Sequence, residues 1–218
     1  MIPVHQKEIP FFSVIICTFN RSIELQSAIE SLLNQSEHDW EAIIVDDGSN
    51  DTTFRVAQAF CNEDRRIRYC YHSNKGVGLS KNTGILAASG MFITFLDSDD
   101  TYKVDHLQTR KEMLLSYPEI DLLHGGCEVN GDLFVADKND PTTQIALDDC
   151  VIGGTFFIKK STVVSLGGFS TLLYGDDADF FEKVVSNGLV VAQTDHQSYV
   201  YNRTSADSLC TNQFVGKK

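Results

Sequence analysis

An α/β fold with a mostly parallel central sheet is what the sequence predicts, and three observations predict it. Apolar, β-branched runs of strand length alternate with stretches of helical periodicity over residues 11–100. The first of these runs is continuous rather than alternating, the mark of a strand covered on both faces. Polar clusters follow three of the runs directly, at the carboxyl ends where parallel sheets bind ligands.

The elements follow in order. FFSVIICTF (11–19) is the opening strand, and Leu25, Ala28, Ile29, Leu32 and Leu33 recur at helical spacing over 22–35. A second strand covers 40–45 and runs into Asp46-Asp47-Gly48-Ser49; a weaker helix occupies 52–61. RIRYCYH (66–72) is a third strand, GLSKNTGILAAS (78–89) a helix, and MFITFL (91–96) a fourth strand. Beyond residue 100 the pattern becomes mixed. A helix is expected at 103–117, ending before Pro118, then a strand pair turning at Asn130-Gly131, a hairpin signal. VIGGTFFIKK reads as a strand containing a glycine pair. DADFFEKVVSNG reads as a helix stopped by Gly188, and LVVAQTDHQSYVY as a last strand or two. The expected organisation is one domain over 1–218: a first half at about 11–100, a mixed second half at about 101–210, and a loosely held tail at 211–218.

The 218 residues are 42% hydrophobic, enough for a substantial core, and carry a net charge of −12. That charge argues against binding a nucleic-acid polymer and against a polybasic membrane surface. Six cysteines, at 17, 61, 70, 127, 150 and 210, show no C-x-x-C spacing, so reduced thiols in the cytoplasm are expected. No apolar run reaches the ~18 residues of a membrane span, and no signal-peptide core opens the sequence. Peripheral work at the inner face of a membrane stays compatible with both observations.

The densest chemistry is Asp97-Ser98-Asp99-Asp100. Like charges this close repel unless donors, water or a cation relieve them. Two carboxylates separated by one residue at a strand end can hold Mg²⁺ or Mn²⁺ and leave positions for phosphate oxygens; capping of the following helix is the plainer alternative. A carboxylate in Asp46-Asp47 can accept from a base or ribose, or simply serve a polar turn. Asn20-Arg21 and Lys81-Asn82 bring cationic and amide groups to the same strand ends and can offset a diphosphate. In Tyr174-Gly175-Asp176-Asp177-Ala178-Asp179, a carboxylate at a helix start is either a general base or a cap.

Taken in order, SVIICTFNR, LLNQS, IIVDDGSNDTT, NKGVGLSKNTGILAASG, FITFLDSDD and GDDADFF resemble the family 2 glycosyltransferases of GT-A fold, over roughly residues 12 to 182. The resemblance implies a Rossmann-like, mostly parallel sheet flanked by helices, with an acceptor-side half of mixed structure. It implies inverting transfer of a sugar from a nucleoside-diphosphate donor, usually a UDP-sugar, to an acceptor hydroxyl with Mn²⁺ or Mg²⁺, in polysaccharide or glycolipid synthesis on a sugar or lipid-linked acceptor. Carried onto this chain, it places Thr18, Asn20, Asp46, Asp47 and Lys81 at the nucleotide and Asp97 and Asp99 at the metal. Asp177 becomes the general base, with Asp100, Asp176 and Gly154 in acceptor-side or supporting places. Two departures stand out: Cys17 where proline is common, and Arg203-Thr204 where relatives carry a C-terminal histidine. Two other readings compete. Asp97-Ser98-Asp99-Asp100-Thr101 also fits the D-x-D-x-T of Mg²⁺-dependent haloacid-dehalogenase-type phosphohydrolases, and a non-catalytic sugar-nucleotide-binding or scaffold protein would share the fold.

Overall fold

The computed structural model describes residues 9–204 apart from 139, 141 and 173; the tail expected at 211–218 and Cys210 lie outside these. The first half reads as anticipated: β1 (Phe12–Thr18), α1 (Ser22–Leu33), β2 (Trp40–Asp46), α2 (Thr53–Glu63), β3 (Ile67–Tyr71), α3 (Val77–Ala87) and β4 (Phe92–Phe95). Then come β5 (Thr101–Tyr102), α4 (His106–Ser116), β6 (Leu122–Gly131), β7 (Phe134–Ala136) and β8 (Gln144–Ala146). The described chain continues with β9 (Phe157–Lys159), α5 (Lys160–Ser165), α6 (Asp176–Ser186) and β10 (Val191–Arg203). One eight-stranded sheet in the order β3-β2-β1-β4-β9-β6-β10-β5 runs through both halves. Strands β3, β2, β1 and β4 are parallel, β9 runs against both its neighbours, and β6 and β10 are parallel to each other.

The two faces of β1 explain its unbroken apolar sequence. Phe12, Val14 and Ile16 point into one core with Leu25, Ala28, Ile29 and Leu32 of α1. Ile15 points into the other, with Ile43, Val45, Ile85, Phe156, Phe169 and Phe180. Period-two alternation thus persists, but both sides are apolar because both are covered. Glu41 is the buried exception on β2. Its carboxylate accepts from Ser13 Oγ at 2.7 Å and pairs with Arg68 at 2.8 Å, so the buried charge is compensated.

The second half corrects three expectations. No hairpin turns at Asn130-Gly131. β6 runs straight through them because Cys127–Gly131 pair in parallel with Tyr199–Arg203 from far along the chain. The reversal comes later, between β7 and β8, which form a separate two-stranded sheet. The strand expected in VIGGTFFIKK is confined to Phe157–Lys159, and Gly153–Thr155 form a 3-10 turn before it. The helix expected from 103 starts at His106, since Thr101–Tyr102 pair with β10 first. Gly188, with φ of 69°, stops α6 as anticipated.

Candidate active site

Parallel alignment of β1, β2 and β4 sets their carboxyl ends side by side, with Thr18 in register with Asp46 and Ile15 with Phe95. The three polar clusters therefore meet along one edge of the sheet. The start of α6 adds a fourth element. Lys81 Nζ, on α3, lies 2.7 Å from Asp176 Oδ2 at the start of α6, although the two are 95 residues apart. Its ammonium also sits 4.9 Å from the Phe169 ring centroid, a face that attracts cations.

Around this lysine the carboxylates crowd. Burial raises the Asp97 carboxyl to about 6; Lys81 opposes the rise, while Asp99, Asp176 and Asp177 add to it. Burial likewise raises Asp177 above the usual carboxylate range, again against Lys81 and with Asp176. Lys81 itself is held above its ordinary value: burial pulls it down, but Asp176, Asp177 and Asp97 outweigh that. Cys17 is raised by burial and feels Lys81, Asp97, Asp176 and Asp47 together. The end of β2 thus borders the same cluster.

Exposure separates the carboxylates. Asp97, Asp99 and Asp177 are only half-buried, whereas Asp100 and Asp176 are buried. Asp100 is built into the scaffold. Tyr199 donates its hydroxyl to Asp100 Oδ2 at 2.6 Å, and the Asn202 N–H donates to Oδ1 at 2.7 Å. Asn202 Nδ2 also donates to the Asp99 carbonyl at 2.9 Å. The carboxyl end of β10 therefore clasps the Asp97–Asp100 loop. Tyr199 approaches so closely that a Cβ on Gly154 would lie 2.2 Å from its hydroxyl oxygen, which is why a residue without a side chain stands there. Asp177 is aimed by two backbone donors, Gly153 N–H to Oδ2 at 3.0 Å and Ala178 N–H to Oδ1 at 2.8 Å. The second bond also meets the capping alternative in part, because a first-turn N–H finds its acceptor.

The residues expected at the nucleotide divide similarly. Thr18 is buried and its hydroxyl has no hydrogen-bond partner among the described residues. An unpaired buried hydroxyl costs ~1–3 kcal/mol, a penalty that a ligand at the end of β1 would remove. Asp47 accepts from the Lys75 and Gly76 N–H groups at 2.6 and 2.9 Å, with His72 Nδ1 at 3.2 Å. Asp46 is committed internally, to Ser49 N–H at 2.8 Å and the Tyr69 hydroxyl at 2.7 Å. Asn20 bridges two loops through Ser49 and Asn50. Arg203 is also occupied, its Nη1 donating to the carbonyls of Asp132 and Phe134.

The site fits a divalent cation of a particular kind. Several carboxylates share one buried lysine; burial raises Asp97 and Asp177, and the neighbouring carboxylates add to the rise. Among the described residues no group of three metal-ligating side chains is preassembled. Asp97 and Asp99 would supply one or two carboxylates to such an ion, with phosphate oxygens completing the shell, as Mg²⁺ sites commonly do.

Tyr199 and Asn202 escaped sequence reasoning. They sit some hundred residues beyond the loop they hold, and SYVYNR carries no local sign of it.

The sequence model of glycosyl transferase family 2 matches residues 13–123, just over half of the 218 residues. The chain belongs to glycosyl transferase family 2. Among curated family members, it is 35% identical over 182 residues to the GalNAc(5)-diNAcBac-PP-undecaprenol beta-1,3-glucosyltransferase of Campylobacter jejuni, covering 78% of this chain and 58% of that one. An uncharacterized glycosyltransferase of Haemophilus influenzae is 27% identical over 215 residues, covering 94% and 84%. Two solved structures share the fold. S. aureus TarS 1-349 in complex with UDP-GlcNAc aligns with TM-score 0.76 at 19% identity, over 91% of this chain and 60% of that one. A mannosyltransferase of Pyrobaculum calidifontis in complex with GDP-Man and Mn²⁺ gives 0.72 at 18%, over 89% and 57%. The GT-A architecture expected of the family 2 sequence is therefore the one present, and the phosphohydrolase reading gives way to the family match.

Proposed function

We propose that this family 2 chain is an inverting glycosyltransferase that moves a sugar from a nucleoside diphosphate, a UDP-sugar first, to a hydroxyl of a polysaccharide or lipid-linked acceptor. The observation that carries the reading is the meeting of half-buried Asp97 and Asp177 around Lys81, from loops far apart in the chain, with Asp99 beside Asp97. The C. jejuni relative's name gives it an undecaprenol-diphosphate-linked acceptor, which supports an acceptor of that class. No helix among the described residues is long and apolar enough to cross a membrane.

Each residue has a derived task. Asp177 accepts the proton of the acceptor hydroxyl. Its raised affinity for protons makes it a stronger base than an ordinary aspartate, and the Gly153 and Ala178 N–H groups hold its oxygens in place. The freed oxygen forms its bond to the anomeric carbon as the bond to the diphosphate breaks on the opposite side, so configuration inverts. Asp97 and Asp99 are the residues to hold Mn²⁺ or Mg²⁺, which when bound would stabilise charge on the departing diphosphate. Asp47 and Thr18 line the nucleotide side. Lys81 keeps the Asp176 end of α6 against the cluster so that Asp177 stays aimed.

A thermal-shift screen of UDP-, GDP- and dTDP-sugars with and without Mn²⁺ tests donor binding, since a ligand of the folded form raises Tm. UDP-sugar with Mn²⁺ is expected to give the largest shift. Asp177→Asn is expected to keep that shift and lose transfer by ~10²–10⁴-fold. Undiminished transfer would remove Asp177 from its role, and no shift with any nucleotide would end the proposal. Binding without transfer by the wild type across sugar and polyprenyl-diphosphate acceptors would favour the scaffold alternative.

A further inference from the structure

Arg21 places Nη1 2.5 Å from Asp99 Oδ2, with the two side chains only 18% and 12% exposed. Its surroundings are built to produce that contact. Asn20, immediately before it, is the one non-glycine residue with positive φ (52°) among the described residues. Asparagine tolerates this region better than most side chains, but the conformation still has to be held. The Asn20 N–H donates to Ser49 Oγ at 2.8 Å, and Asn20 Oδ1 accepts the Asn50 N–H at 2.7 Å. The Arg21 N–H donates to Thr53 Oγ1 at 3.3 Å. The loop after β1 is thus pinned to the loop after β2, and the left-handed residue redirects the chain so that the next side chain spans to the loop after β4.

The ion pair falls on a carboxylate expected to bind a cation. A guanidinium 2.5 Å from an oxygen and a divalent ion on that same oxygen repel each other strongly in a half-buried site. We infer that Arg21 is a placeholder cation. It neutralises Asp99 while the site holds no donor, and it yields the carboxylate when cation and diphosphate enter together. It then takes up the diphosphate oxygens, which suit a guanidinium fork as well as a carboxylate does. A cation arriving alone must displace Arg21 from its pair with Asp99, whereas a nucleotide diphosphate offers Arg21 a second anion. Cation and nucleotide therefore favour each other's binding, by the same factor in each direction. This inference rests on the assignment of Asp99 to the metal.

Mn²⁺ binding to the full chain, followed by the EPR signal of free Mn²⁺ with and without UDP, tests it without any turnover. The wild type is expected to bind Mn²⁺ about tenfold more tightly with UDP than alone, and Arg21→Gln to bind Mn²⁺ alone about tenfold more tightly than the wild type does. Adding Asp99→Asn to Arg21→Gln is expected to cancel that gain, because the gain comes from one shared oxygen. Should Arg21→Gln not fold, Arg21→Lys keeps a charge but loses the fork, and a smaller gain in the same direction is expected of it. If the wild type shows UDP-dependent Mn²⁺ binding that Asp99→Asn weakens, yet the Arg21 variant gains nothing alone, the placeholder is refuted and the metal assignment stands. If Asp99→Asn leaves Mn²⁺ binding untouched, the metal assignment fails and the placeholder falls with it.

Discussion

Replacing Lys81 by methionine tests whether the site is an electrostatic balance held by one lysine. Methionine keeps the length and apolar stem of the side chain and deletes the ammonium. The deletion strands Asp176, whose carboxylate is buried and lies 2.7 Å from the lysine. It also removes the cation that lowers Asp97 and Asp177. Breaking a buried pair by removing one partner costs ~3–5 kcal/mol, the figure expected here at pH 8. The cost should depend on pH with a definite sign. Without Lys81 the folded-state values of Asp97 and Asp177 rise further above their unfolded values, so the folded chain binds more protons than the unfolded one. Stability from such groups is fully present below the unfolded value and is lost as pH rises through the folded one. Asp97, already raised to about 6 in the wild type, places the window from mildly acidic to neutral pH and above. The loss in Lys81→Met should therefore be largest at pH 8 and shrink toward pH 5. Equilibrium urea denaturation of both proteins across that range measures it. A loss below about 1 kcal/mol, the size of an exposed pair, or a loss that does not vary with pH, would refute the reasoning.

Other outcomes follow from the same geometry. Transfer by the wild type should fall on the acid side at a pH above the ordinary aspartate range, because Asp177 must lose its proton to act and burial holds that proton more tightly; a pH profile of kcat/KM locates the limb. Tyr199→Phe removes the 2.6 Å bond to buried Asp100 and should destabilise by ~1–3 kcal/mol, the cost of leaving a buried polar group unsatisfied, read by urea denaturation. Gly154→Ala sets a methyl group 2.2 Å from the Tyr199 hydroxyl oxygen and should cost ~1–3 kcal/mol by overpacking, with a lower Tm; an unchanged Tm would mean that β10 is free to shift.

The sequence by itself determined the parallel half of the sheet. Each of its elements is a local pattern: the unbroken apolar run at Phe12–Thr18, the helical spacing from Leu25 to Leu32, and the acidic stop after Leu96 all depend on neighbours a few residues away. It also placed the acidic clusters at strand ends, because a parallel sheet has only one edge to which those ends can point. Tertiary structure decided what long-range pairing controls. Asn130-Gly131 carries a turn signal, but nine of the ten residues of β6, these two included, found a partner in β10 and the ladder overrode it. The division of labour among the carboxylates was settled in the same way. Asp97, Asp99 and Asp100 are adjacent and chemically alike, so nothing local separates them. Tyr199 and Asn202 reach from the far end of the chain to absorb Asp100, and Arg21 crosses from another loop to Asp99. Lys81 met Asp176 rather than a strand-end neighbour because α3 and α6 pack beside the same edge. Burial and charge pairing depend on what folds back against a residue, and that information lies in contacts between distant segments.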